Sequence, residues 1–187
     1  LPKKGKLKSG DDLWVSRYIL NQMSEDYGFN IEYHPKPVTG DWNGSGLHCN
    51  FSNIKMREEG GKEYFDAIFK TFESRHMEHI KCYGSSNDMR LTGDHETQSI
   101  HKFSWGVSDR GASIRVPIST EKEWKGYVED RRPASNADPY KIINVINESI
   151  TNAEELYKTL HNMYSDVKVS DEIKELVQTE PITREVD

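Results

Sequence analysis

Only two cysteines, Cys49 and Cys82, occur in 187 residues. That is too few for a disulfide-stapled secreted fold, and it points to a reducing compartment. No run approaches the roughly 20 apolar residues of a membrane helix, so no membrane span is expected. A basic surplus is missing too: 25 Lys and Arg stand against 31 Asp and Glu, a net charge of -6. Apart from Lys3, Lys4, Lys6 and Lys8, read as a basic N-terminal tail over residues 1–10, nothing offers the cationic face that non-specific nucleic-acid binding requires. No nucleic-acid partner is expected. The glycine loops of P-loop and dinucleotide-binding folds, a C-x-x-C pair and a G-x-S-x-G elbow are all absent, which leaves those chemistries without local support. Apolar residues are scarce, at 34%, although 10% aromatic content argues for folding.

The charge is unevenly placed. Residues 151–187 carry 9 acids and 4 bases, so most of the excess lies in the last fifth and the body is nearly balanced. Apolar spacing from Leu13 to Gln22 predicts a helix over about 12–27, ended by Gly28. Pro35 and Pro37 make 31–38 extended, at best an edge strand. Alternation over 47–53 suits a strand. Tyr64, Phe65, Ile68, Phe69, Phe72, His76 and Ile80 define one amphipathic helix over 61–80. From Met89 to Pro133, strands joined by polar loops are expected. Asp138-Pro139 reads as an N-cap followed by proline at the first helical position. Thr151 and Glu154 read as a capping box that opens a second helix, and a short acidic helix is expected around Ile173–Val177 before a loose tail with Pro181.

Five of the nine arginines, Arg90, Arg110, Arg115, Arg131 and Arg132, fall within 90–132. A guanidinium presents paired donors and stays charged, so such a cluster suits a polyanionic ligand. The same arginines could instead form ion pairs with Asp94, Asp109, Glu129 and Asp130. Glu129-Asp130-Arg131-Arg132 could hold a hard cation beside an anion, or be a solvated turn. His48, with Asn50 on the same strand face, is a candidate ligand or a structural histidine. Asn43-Gly44-Ser45-Gly46 could bring backbone N–H groups to a ligand or simply turn the chain.

Several runs together are specific: GDDLWVSRYIL at 10–20, NGSGLHCNFS at 43–52, REEGG at 57–61, RLTGDHET at 90–97, FSWGVSDRGASIRVP at 103–117 and GYVEDRRPASNADPY at 126–140. In this order they resemble eukaryote-type glutamine synthetase, over about residues 10–150. The resemblance implies an α+β fold, the C-terminal half of that catalytic domain over 11–150, built as an antiparallel curved sheet or half-barrel backed by helices. Residues 151–187 would be an added acidic helical extension.

By the same resemblance, the activity is ligation of ammonia to glutamate through γ-glutamyl phosphate, with ATP as substrate and Mg²⁺ or Mn²⁺ as cofactor. His48 and Glu129 would be metal ligands. Asn43, Gly44, Arg90 and Arg131 would bind glutamate. Asn50, Phe51, Ser52, Arg110, Arg115 and Tyr127 would lie at the nucleotide, and Glu96 would be the flap carboxylate that, with Arg110, serves the chemistry. The family's N-terminal domain and its other glutamate ligands are not in this sequence, so the chain alone is expected to be inactive. A partner chain supplying the missing half is the expectation, with homo-oligomeric rings implied for the family and a structural subunit of a larger complex as the alternative. A cytoplasmic location is expected, with mitochondrion or plastid left open because the sequence starts at Leu1.

Overall fold

The computed structural model describes residues 6–166. A long helix α1 (Lys6–Tyr27) leads through an irregular segment to β1 (Cys49–Phe51). Three helices follow, α2 (Ile54–Glu58), α3 (Lys62–Ser74) and α4 (His76–Cys82). Then come β2 (Trp105–Val107), β3 (Ile114–Val116), α5 (Ile118–Glu123), β4 (Val128–Asp130) and the final helix α6 (Pro139–Asp166). The four strands form one open sheet in the order β1-β4-β3-β2.

Pairing is antiparallel between β1 and β4 and between β4 and β3, while β2 runs parallel to β3. The sheet is therefore mixed where an all-antiparallel one was expected. A parallel partner normally needs a long crossover, but these strands are so short that the loop Ser108–Ser113 suffices to bring the chain back. Registers place Asn50 opposite Glu129 and Glu129 opposite Arg115, so a polar row crosses the sheet. Side chains alternate along a strand, and the neighbours Ile114, Val116 and Val128 consequently point the other way, where they are fully buried.

That buried face rests on α3 and α6. Tyr64, Phe65, Ile68 and Phe72 of α3 meet Ile142, Val145, Ile146 and Ala153 of α6 in one apolar cluster. Burying each such side chain contributes about 1.5–3 kcal/mol, which is what holds a core of this size against chain entropy. Phe51 stacks on Phe72 with centroids 5.2 Å apart and ties the edge strand to the helix layer.

Several boundaries differ from the sequence reading. α1 begins at Lys6, so the second half of the presumed basic tail is helical. The expected 61–80 helix is two, interrupted at Arg75, whose guanidinium is drawn to Glu78, Glu148 and Ser149. Residues 31–38 join no sheet. Their carbonyls are used singly, Tyr33 O by the Ser135 hydroxyl and Pro35 O by the Ser45 N–H. Asp138 caps α6 as expected, its Oδ1 accepting from the Tyr140 N–H at 2.9 Å. No second helix starts at Thr151; its hydroxyl bonds to Asn147 O one turn back and α6 continues unbroken. The expectations for Ile173–Val177 and Pro181 lie outside the described residues. No helix among the described residues is long and apolar enough to cross a membrane.

Candidate functional site

On the solvent face of the sheet, the polar row and its neighbours form one cluster. Glu129 on β4 is its centre. Its Oε1 lies 3.1 Å from His48 Nδ1, and its Oε2 accepts from Arg115 Nη1 at 3.3 Å and Arg131 Nη1 at 3.2 Å. Burial alone would raise the Glu129 pKa, but Arg131, His48 and the hydrogen bonds from Arg115 and Arg131 bring it below the usual carboxylate value. Burial and then Arg131 lower that of His48, against the pull of Glu129. A neutral imidazole beside an ionised carboxylate results, the protonation states in which both groups ligate cations.

The loop before β1 is shaped for close approach. A Cβ on Gly44 would lie 2.3 Å from Arg90 Cγ and 2.7 Å from Pro35 O, and one on Gly46 would lie 2.8 Å from Arg90 Nη1 and 3.1 Å from His48 Nε2. Neither position has room for a side chain, because the Arg90 stem and the Pro35 carbonyl lie against Gly44 and the Arg90 guanidinium and the His48 ring against Gly46. Arg90 itself is 5% exposed, and its Nε and Nη2 donate to Asn87 Oδ1 and to the carbonyls of Arg131, Arg132 and Pro133. Through these two donors it braces the strand end that carries Arg131.

Glu96 and Arg110 meet at 2.9 Å on the exposed rim. Arg131 Nε donates to Arg110 O at 3.1 Å and Nη2 reaches Glu96 O at 3.5 Å, which ties this rim to the centre. His95 and Glu96 are successive non-glycine residues in the left-handed region, with φ of 52° and 59°. Such a conformation costs of order 1–3 kcal/mol per residue and is kept only where surroundings impose it.

Asn50, Phe51, Ser52 and Tyr127 line a separate cleft of about 1080 Å³ that runs from β1 to α6. Asn43 is exposed on the loop before β1. Arg132, counted with the other four arginines from sequence, faces the opposite side of the sheet: it is buried against Asp130, with Tyr83, His76 and His79 around it. Sequence reasoning also missed Asn53, Lys55, Arg57, Tyr64, Glu154 and Tyr157 in the cleft wall. Only the amphipathic register of α3 and α6 could have hinted at them.

Among the described residues there is no group of three or more His, Cys, Asp or Glu that could hold a metal ion. His48 and Glu129 offer two donors, and the carboxylate already receives two guanidinium groups. A divalent cation takes about six oxygen or nitrogen ligands, so this chain's residues fit part of such a centre and do not complete one.

The open α+β sheet with its helix layer is similar in fold to part of glutamine synthetase: a cryo-EM structure of the Plasmodium falciparum protein superposes with a TM-score of 0.64 at 20% identity, over 82% of this chain and 31% of that one. Sequence similarity carries the assignment further. Glutamine synthetase of Tuber borchii is 54% identical over 144 residues, 77% of this chain and 40% of that protein. The Saccharomyces cerevisiae enzyme is 53% identical over 144 residues, 77% of this chain and 39% of its own. The cytosolic isozyme of Daucus carota is 54% identical over 143 residues, 76% and 41%. Over that stretch the chain is a homologue of glutamine synthetase and fits its C-terminal part, spanning about two fifths of the length of these curated relatives. No protein-family profile matches the chain.

Proposed function

We infer that this chain supplies the arginine-bearing half of a glutamate–ammonia ligase site, the rest coming from another segment or another chain. The observation that carries the reading is the cluster itself: His48, Glu129, Arg115 and Arg131 converge on one sheet face within hydrogen-bond reach of each other.

In such a ligase the glutamate side-chain carboxylate attacks the terminal phosphorus of ATP and releases ADP. Ammonia then adds to the carbonyl carbon of the γ-glutamyl phosphate and expels inorganic phosphate. Catalysis consists mainly of positioning and neutralising charge on the moving phosphoryl group. Arg115, and Arg110 once released from Glu96, would meet phosphate oxygens. Arg131 would hold the glutamate, with Arg90 setting its backbone and Asn43 and Gly44 lining the same end. Asn50, Phe51, Ser52 and Tyr127 would take the nucleotide. Glu96, freed from Arg110, would accept the proton that ammonium loses. His48 and Glu129 would be two of the donors to Mg²⁺ or Mn²⁺, which when bound screens the phosphate charge.

The reading predicts no turnover by this chain alone and γ-glutamyl transfer or phosphate release once the complementary half is present. Activity without a partner would sink the divided site, and native mass spectrometry shows whether a partner, or a ring of copies, exists.

A second reading has its own support. α1 leaves Trp14, Val15, Tyr18, Ile19, Leu20 and Met23 exposed, and the sheet ends in two open edges, β1 and β2. Sheet edges and exposed apolar side chains invite other protein. A chain used purely as a structural subunit would stay inactive with every partner while still assembling through α1. We place such assembly in the cytoplasm.

A further inference from the structure

The cleft beside β1 is walled on its far side by α6, and one contact there joins elements distant in sequence. Asn53 caps α2, its Oδ1 accepting from the Met56 N–H at 2.8 Å. Its amide Nδ2 donates to Glu154 Oε1 at 2.8 Å and to the Tyr64 hydroxyl at 2.6 Å, and that hydroxyl donates in turn to the same glutamate oxygen at 3.3 Å. The carboxylate, which can only accept, therefore fixes the nitrogen end of the Asn53 amide, while the Met56 N–H fixes its oxygen end. A second tether lies alongside, with Lys55 Nζ 4.3 Å from the Tyr157 ring centroid, within cation–π range.

What this fixes is the mouth of the cleft. Arg57, one turn into α2, donates from Nη1 to the Ser52 carbonyl at 3.1 Å and to the Ser52 hydroxyl at 2.8 Å. Its Nε has no hydrogen-bond partner among the described residues. Residues 52–57 thus form a lip that presents a hydroxyl, a guanidinium and, paired with Glu59 at 3.4 Å, an ammonium beside the ring of Tyr127, with the buried Tyr64 behind them, the chemistry that suits an aromatic polyanion. Without Glu154, the Asn53 amide would lose its charged acceptor and its link to α6, leaving Nδ2 only the Tyr64 hydroxyl.

We propose that Glu154 is a positioning residue that, through Asn53, holds the Ser52–Arg57 lip in the form that takes a nucleoside triphosphate, with α6 beyond residue 150 acting as the strut. The proposal rests on the reading of Asn50–Ser52 as the nucleotide side of the site.

The test uses the full chain with two readouts, amide hydrogen exchange over residues 52–57 and titration with a fluorescent ATP analogue. Glu154→Ala is expected to speed exchange at the lip and to weaken analogue binding roughly five- to tenfold, the loss of about one charge-assisted hydrogen bond. Glu154→Gln retains an acceptor oxygen and should stay near wild type. Asn53→Ser keeps the cap but severs the link to α6, and should reproduce Glu154→Ala. Unchanged lip exchange in Glu154→Ala overturns the proposal, as does faster exchange with unchanged analogue affinity. Faster exchange spread evenly over β3 and β4 also overturns it, since that marks a loss of global stability. If the wild-type chain takes no analogue while lip exchange still responds to Glu154, the nucleotide reading falls and the strut stands.

Discussion

Asp130 and Arg132 grip each other in the interior directly behind the residues that face solvent: Oδ2 accepts from Nη2 at 2.7 Å and Oδ1 from Nε at 2.9 Å, with neither side chain more than 1% exposed. The strand alternates, so this pair sits beneath Glu129 and Arg131, and its geometry sets theirs. Burial would raise the Asp130 pKa, but the Arg132 guanidinium holds it low. Breaking a buried pair by removing one partner leaves an uncompensated charge. Asp130→Asn should therefore lower stability by about 3–5 kcal/mol, read as a shift of the urea midpoint. A change under about 1 kcal/mol would mean that water reaches Arg132.

His79 adds a pH dependence. It is enclosed by Tyr83, Ser149 and Arg132, with Nδ1 2.6 Å from the Tyr83 hydroxyl and Nε2 2.6 Å from Ser149 Oγ. Burial, then Arg132, push its pKa down from 6.5 to about 3. In the unfolded chain the imidazole takes a proton near its ordinary value, whereas the folded protein refuses it until far more acidic pH. Stability is thus undiminished above about pH 6.5 and falls as pH drops toward 3, by at most ~1.4 kcal/mol per pH unit from this group. Denaturation midpoints across pH 7.5 to 4.5 should show the slope, and His79→Gln should flatten it. An equal slope in that variant would assign the effect elsewhere.

The helix layer was legible because its pattern is local: the apolar stripe of α3 and the Asp138-Pro139 start of α6 are fixed by residues a turn apart. What could not be read depends on partners far along the chain. Arg75 ends α3 by reaching Glu148, Thr151 fails to open a helix because α6 is carried on by burial of Ala153, and the parallel pairing of β2 follows from a loop with no sequence signature. The site divides in the same way. His48 and Glu129 are named from motif resemblance, and they meet because β1 pairs with β4, whose register also sets Glu129 opposite Asn50 and Arg115. The burial of Arg90 and the turning of Arg132 to the other face required the sheet.

Gly44 tests the close packing at the loop. Any side chain there meets Arg90 Cγ and Pro35 O well inside contact distance. Gly44→Ala should displace Arg90 from the carbonyls of 131–133 and cost roughly 1–3 kcal/mol as overpacking. Gly40, with open space around its Cβ position and a φ of +93°, serves as a control in which only backbone strain is introduced. A Gly44→Ala change within about 0.5 kcal/mol of wild type would show that Arg90 yields freely.

The pair on the rim separates strain from charge. Glu96 has a φ of 59° and an exposed partner in Arg110. Glu96→Gly should relieve backbone strain of order 1–3 kcal/mol, offset by about 0.4–1 kcal/mol of added freedom in the unfolded chain, while the exposed ion pair it deletes is worth about 0–1 kcal/mol. Stability should hold or rise slightly while ligase activity of the complete assembly is lost. Glu96→Gln keeps the strain and removes only the charge, so it should match the loss of activity without the gain in stability. Activity preserved in both variants would remove Glu96 from proton transfer.

Glu129 decides between anion and cation binding at the centre of the site. As it stands, its charge offsets Arg115 and Arg131 and shares His48, so the cluster presents little net positive charge to a phosphate. Glu129→Gln removes that offset while keeping the shape. Two opposed outcomes follow: inorganic pyrophosphate should bind more tightly, because two guanidinium groups lose their internal partner, and Mn²⁺ binding in the complete assembly should weaken, because a charged donor becomes a neutral one. Calorimetry with pyrophosphate and paramagnetic resonance with Mn²⁺ read the two independently. A variant in which both ligands weaken together would point to collapse of the strand face, and one in which neither changes would place the anion and the metal away from Glu129.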